Sequence, residues 1–382
     1  MKERQIAVFL LFFMAAAFSI WVLGCQKSKK PVLKPGAEGV AQESYPVRIW
    51  VYKTNFTVKE SPAKLVSYFL KDLDWTKRFS GMLSFKVTDA GADMDLGQAG
   101  KSVGVTAKVM GINFPCKVVN IKYVPDREVW LMVLTGENWM LVRLDAKPAP
   151  TGAFVTLNAL AYMSPNLSAV ADNLQLAKVI ASKLDLAVAM VQAEFDPGLD
   201  PKSLTEQGLR GEMAEKFFQA YQASVWINAA PAQVIKRGLD PENFRQILAA
   251  SQIGGVAECF FAPENRKRWD RKLAEGREVD VIYCPDTSIK MAGIKFDTST
   301  FARIKPNDME HFLATHVTAL GVIIQLDLYG KPENGGTRIW MKLVVEPPSS
   351  ANLTEAFIAI SGAPQWIKEI LTDIKSRTES VG

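Results

Sequence analysis

The chain has 382 residues, 45 Lys and Arg against 40 Asp and Glu, a net charge of +5, two His and four Cys. That length suits two ordinary domains. A surplus of five charges is too small to argue for a polyanionic partner, so no nucleic acid is expected. At the start, Lys2 and Arg4 are followed by a run, Ile6 to Gly24, that contains no charge. A basic start followed by an apolar run reads as an export signal. About 20 apolar residues also suffice to span a bilayer, so a membrane anchor is the alternative.

The run closes on Val22-Leu23-Gly24-Cys25-Gln26. This stretch resembles the lipobox of bacterial lipoproteins, with Val22 where Leu is usual. The resemblance implies that residues 1–24 are a lipoprotein signal peptide removed before Cys25, and that Cys25 receives acyl chains such as palmitate. Two kinds of acyl linkage on one Cys give stable anchoring without a helix. Gln26 is not the Asp that retains such proteins at the inner membrane, which implies the periplasmic face of the outer membrane in a bacterial envelope. Residues 25–45 are rich in Lys, Pro, Gly and Ala and read as a flexible tether. With Cys25 acylated, Cys116, Cys259 and Cys284 remain. Cys259 and Cys284 are either a pair or buried small hydrophobes.

From residue 46 the pattern is β-rich. "YPVRIWVYKTNF" alternates through Val47, Ile49 and Val51. Ser61-Pro62 signals a helix start. Five strands follow, joined by short polar turns: "GKSVGVTAKVM", "FPCKVVNIKYV", "EVWLMVL", "NWMLVRLDAK" and "GAFVTLNALAYM". Such a succession suits an antiparallel meander. Leu167, Val170, Leu174, Ala177, Ala181, Leu184, Val188, Val191 and Phe195 then step by three and four, one apolar stripe along about eight helical turns.

The plan then repeats. "VSYFLKDLDWTKRFSGML" (66–83) sets over "VAECFFAPENRKRWDRKL" (256–273), with Lys77-Arg78-Phe79 over Lys267-Arg268-Trp269. "VRLDAKPAPTGAFVTLNALAYMSP" (142–165) sets over "IQLDLYGKPENGGTRIWMKLVVEPP" (324–348). The expected domains are 46–196 and 204–382, joined by the turn-rich linker 197–203. In this alignment residues 229–251 are an insertion of short amphipathic helices in the second copy. The second copy's last helix contains Gly362 and Pro364, which predicts a kink or restart near Ser361–Pro364.

A curved antiparallel sheet gripping one long C-terminal helix resembles the helix-grip fold of the START and polyketide-cyclase superfamily. The second copy carries the more specific motif, Pro263-Glu264-Asn265-Arg266-Lys267-Arg268-Trp269-Asp270, with a Pro306-Asn307-Asp308 turn about forty residues later. Asn307 stands where the family has Arg. The fold class expected is therefore α+β, two helix-grip domains, each a sheet wrapped around a long helix. The family uses the space between sheet and helix for a hydrophobic ligand.

Small residues on facing walls, Ala177 and Ala181 on the helix and Ala159 and Ala161 in line with Val155 and Leu157 on the strand, would leave room there. Candidate ligand-binding residues are Phe79, Met140, Val142, Val155, Leu157, Leu174, Ala177, Ala181 and Leu184. In the second copy the candidates are Trp269, which sets over Phe79, Met341 and Phe357. Core packing is the plainer role for each. His311 and His316, five apart on an expected strand, face opposite sides. No CxxC, phosphate-binding loop or nucleophile elbow appears, so no catalytic residue, metal or cofactor is assigned. The function expected is binding or transfer of a hydrophobic small molecule or lipid by a lipid-anchored protein. The alternatives are a cyclase- or hydrolase-like enzyme on the same fold and a ligand-free structural lipoprotein.

Overall fold

The computed structural model describes residues 41–71, 83–87, 96–97, 102–109, 112–135, 138–163, 176–206, 211–238, 240, 243, 246–247, 254–256, 279–291, 294–304, 312–317, 323–347 and 353–380. At some of these, among them 83–87, 176–180, 279–304 and 353–360, only the backbone is described. The main segments of its two compact units are Arg48–Lys216 and Phe217–Gly382.

In the first unit β1 (Ala41–Val58) is followed by α1 (Pro62–Lys71). The strand alternates as a half-buried strand must: Tyr52, Thr54, Phe56 and Val58 are buried, and Lys53, Asn55 and Thr57 are exposed. Pro62 opens α1 as expected, and Ser61 Oγ accepts the Lys64 N–H at 3.4 Å, a capping contact. Next come β2 (Leu83–Val87), β3 (Ser102–Val109), β4 (Ile112–Val124), β5 (Glu128–Thr135), β6 (Asn138–Ala149) and β7 (Gly152–Tyr162). The helix α2 (Leu176–Phe195) and a short α3 (Pro201–Glu206) end the unit. The strands form a curled antiparallel sheet in the order β2-β3-β4-β5-β6-β7-β1. One sheet face, α1 and α2 share a single core, in which Leu65, Val66, Phe69 and Leu70 of α1 and Leu184, Val188 and Val191 of α2 meet the strands.

The second unit repeats the order. It has β8 (Glu212–Ile227), α4 (Pro231–Gln233) running into a π turn (Val234–Gly238), β9 (Gly254–Val256), β10 (Val279–Met291), β11 (Ile294–Ile304), β12 (Phe312–Val317), β13 (Ile323–Glu333), β14 (Gly336–Val345) and α5 (Leu353–Glu379). Its strand order, β9-β10-β11-β12-β13-β14-β8, is that of the first unit shifted by seven strands. The alignment of 142–165 with 324–348 agrees with this topology, because β6 and β7 stand to the first unit as β13 and β14 stand to the second.

The other alignment is corrected. Val256 lies in β9 and pairs with Thr287, so it is the counterpart of β2, not of Val66 in α1. The counterpart of α1 is the helical turn after β8. Ser61-Pro62-Ala63-Lys64-Leu65-Val66 stands where Ala230-Pro231-Ala232-Gln233-Val234-Ile235 stands in the second copy. Leu65 and Val66 are fully buried, as are Val234 and Ile235. The start of 229–251 is therefore the second copy of α1 rather than an insertion.

Of the expected kink or restart in the last helix, the restart is corrected. The helix α5 runs for 27 residues with Pro364 inside it. Proline removes one ladder hydrogen bond. The flanking apolar stripe of Ala363, Trp366, Ile367, Ile370, Leu371 and Ile374 is buried and holds the helix through that gap. The hairpin between β13 and β14 turns on Asn334 (φ 50°) and Gly335 (φ 78°), the left-handed pair that a two-residue turn needs.

Candidate functional site

The inner face of the first sheet is organised in rungs. Cross-strand pairing sets Tyr52 opposite Ala159, Ala159 opposite Val142, Val142 opposite Leu131, and Leu131 opposite Asn120. The next inward rung carries Thr54, Leu157, Leu144, Val129 and Tyr123. Beneath Phe69 of α1 these two rungs enclose a cavity of about 10 Å³, lined by Phe69, Val129, Leu131, Val142, Leu144 and Leu157. Every lining side chain is apolar. A space of that volume takes at most one water-sized group.

Both ends of the first rung are polar. At one end the Tyr52 hydroxyl donates to Asp185 Oδ1 of α2 at 2.8 Å, and the Gly211 N–H donates to the same oxygen at 2.7 Å. Burial raises the Tyr52 phenol above its ordinary value, and the Asp185 carboxylate beside it raises it further by charge and by accepting its proton in a hydrogen bond. A side chain at residue 211 would enter the Tyr52 ring, so only glycine brings its N–H so close. At the other end Asn120 is fully buried at a bulge in β4. Its Nδ2 donates to the Leu96 carbonyl at 2.6 Å, while its Oδ1 has no hydrogen-bond partner.

No protein-family profile matches the chain, and no curated protein matches it. Among solved structures it is similar to two di-domain ARO/CYC proteins. One is BexL from the BE-7585A biosynthetic pathway, at 12% identity and TM-score 0.32, covering 86% of this chain and 98% of that one. The other is StfQ from the steffimycin biosynthetic pathway, at 8% identity and TM-score 0.32, with the same two coverages. It is also similar to Ara h 8.0201 at 15% identity and TM-score 0.26, over 36% of this chain and 95% of that one.

Among the expected site residues, Val142 and Leu157 line the cavity. Met140, Val155 and Leu184 are buried in the same core without lining it, and Ala181 is partly buried against it. Met341 is fully buried in β14 of the second unit. Phe79, Leu174 and Trp269 lie outside the described residues, as do the side chains of Ala177 and Phe357. So do Cys25, the motif 263–270, His311 and Cys259. Cys116 is buried and forms no disulfide.

The room expected over Ala159 and Ala161 is taken. Tyr52 stands opposite Ala159 and Trp50 opposite Ala161, and both large rings are buried on the inner face. Sequence reasoning missed Phe69, Val129, Leu131 and Leu144 as cavity walls. The signal was present for Phe69, which shares the α1 stripe with Leu65, Val66 and Leu70. It also missed Tyr52, Asp185, Gly211 and Asn120. Among the described residues no group of three or more His, Cys, Asp or Glu could hold a metal, and no helix is long and apolar enough to cross a membrane.

Proposed function

We propose that this chain is a lipid-anchored protein of the bacterial envelope that binds or transfers a hydrophobic small molecule or lipid. In this reading residues 1–24 direct export, acylated Cys25 anchors the chain at the periplasmic face of the outer membrane, and two helix-grip units follow. The ligand sits in the first unit, between the sheet and its helices. The observation that carries the reading is the wholly apolar cavity between Phe69 of α1 and the strands, although it lies under α1 and not, as expected, under the C-terminal helix of the unit.

The cavity as it stands admits no more than a water-sized group, so in this reading a ligand displaces Phe69 and α1 outward. Burying an apolar ligand surface of about 200 Å² contributes about 5 kcal/mol at about 25 cal/mol per Å². A lining without a polar group gives no support to a cyclase or hydrolase reaction at this cavity. The experiment is native mass spectrometry of the protein purified from bacterial membranes, with lipid extraction and titration of a fluorescent fatty acid. A bound mass that extracts into organic solvent is expected.

The second reading, a ligand-free structural lipoprotein, is favoured by the size of the cavity, that of a single water. An empty protein that also refuses the fluorescent probe decides for it.

A further inference from the structure

A buried acceptor without a donor is costly, because it has given up its hydrogen bonds to water and gained none in return. Asn120 Oδ1 is such an acceptor. The orientation of the amide is fixed, because Nδ2 donates to the Leu96 carbonyl and a flipped amide would set two oxygens against each other. The Leu96 N–H in turn donates to the Leu70 carbonyl at 3.3 Å, so Asn120 is tied to the end of α1. On the sheet, Asn120 pairs with Leu131, a wall of the apolar cavity, and both face inward. Among the described residues of this unit, Trp50 Nε1 is another buried polar atom without a partner, but Trp50 pairs with Ala161, which is not a cavity wall.

We propose that Asn120 Oδ1 is the polar anchor of the ligand site in the first unit, so that the ligand class is an apolar molecule bearing one hydroxyl, an alcohol or phenol. This deepens the reading of the apolar cavity and rests on it. The hydroxyl donates to Asn120 Oδ1, and the apolar remainder lies under Phe69 against Leu131, Val142 and Leu157. The cavity's present volume is that of one hydroxyl. The rest of the ligand is accommodated as α1 moves, and because Asn120 is tied through Leu96 to Leu70 of α1, the anchor and the moving helix are connected.

The test compares 1-decanol with 1-methoxydecane, which keeps the oxygen and the chain but has no donor. Binding is read on the full chain in detergent by displacement of a fluorescent fatty-acid probe, and again on the variant Asn120→Leu. The wild type is expected to bind decanol about tenfold more tightly than the ether, the worth of one buried hydrogen bond. The variant is expected to bind the two alike, with ether affinity retained. Equal binding of alcohol and ether by the wild type overturns the role of Asn120 while leaving the apolar site standing, and that comparison needs no variant to fold. Binding of neither compound overturns the apolar site itself and the anchor with it. A tenfold preference that persists in Asn120→Leu assigns the hydroxyl to another group and also overturns the proposal.

Discussion

Tyr52 holds a phenol where water does not reach, between an inward rung of the sheet and a carboxylate on α2. Asp185 Oδ1 takes two donors there, the Tyr52 hydroxyl and the Gly211 N–H. Removing the first by Tyr52→Phe should cost about 2 kcal/mol, the range for a hydrogen bond to a charged group, in urea unfolding at pH 8. The pH dependence has a definite sign. The folded-state pKa of Tyr52 is raised above its ordinary value of 10.0. The stability it contributes is therefore complete below pH 10 and falls as the pH rises past it, because the unfolded phenol ionises first. The difference between wild type and Tyr52→Phe should shrink between pH 8 and pH 11. A difference that stays constant or grows would mean that the hydroxyl is not held as its neutral form. Gly211→Ala tests the same cluster by shape. The added methyl enters the Tyr52 ring, so a loss of about 1–3 kcal/mol is expected, most of it absent in the double variant with Tyr52→Ala. These residues were only partly legible beforehand. Alternation along "WVYKTNF" gives the face of Tyr52, but Asp185 and Gly211 are 133 and 26 positions from their partners, and only pairing of the strands brings such groups together.

The helix α5 is longer than proline would ordinarily permit, and it carries Pro364 eleven positions after Leu353 where it begins. An interior proline costs a helix about 3 kcal/mol against alanine, partly offset by the stiffer unfolded chain. Pro364→Ala is therefore expected to raise stability by about 2 kcal/mol, seen as a higher Tm; an unchanged or lower Tm would mean that the proline's fit is part of the packing around Trp366. The strands and the start of α1 were readable from local signals, since alternation, polar turns and Ser61-Pro62 act within a few residues. The counterpart of α1 was not. The eye follows the charged runs 77–79 and 267–269, whereas the structural match of 61–66 to 230–235 keeps only Pro and Ala identical and otherwise preserves size and burial. Likewise, Ala159 and Ala161 promise room only until the register shows Tyr52 and Trp50 opposite them. Volume is a property of cross-strand neighbours, which a single segment of sequence does not contain.

At the scale of the molecule the proposed membrane attachment has two possible sources, surface charge and an acyl chain. A net charge of +5 spread over 382 residues is a weak electrostatic tether. At 1 M salt the screening length falls to about 3 Å, which removes most of the attraction between exposed cations and anionic headgroups. An acyl chain is indifferent to salt, because its attachment is apolar, about 0.8 kcal/mol per buried CH₂. The two anchors therefore part in a wash. If Cys25 is acylated, wild-type protein in bacterial membranes should stay with the pellet in 1 M NaCl, move to the soluble fraction only with detergent, and incorporate labelled palmitate. The variant Cys25→Ser should lose the label and keep the uncleaved segment 1–24, giving a heavier chain that is still held by the charge-free run Ile6–Gly24. Release of the wild type by salt alone would assign its attachment to surface cations and remove the acyl anchor from the proposal. A labelled Cys25→Ser would place the acyl group on another residue.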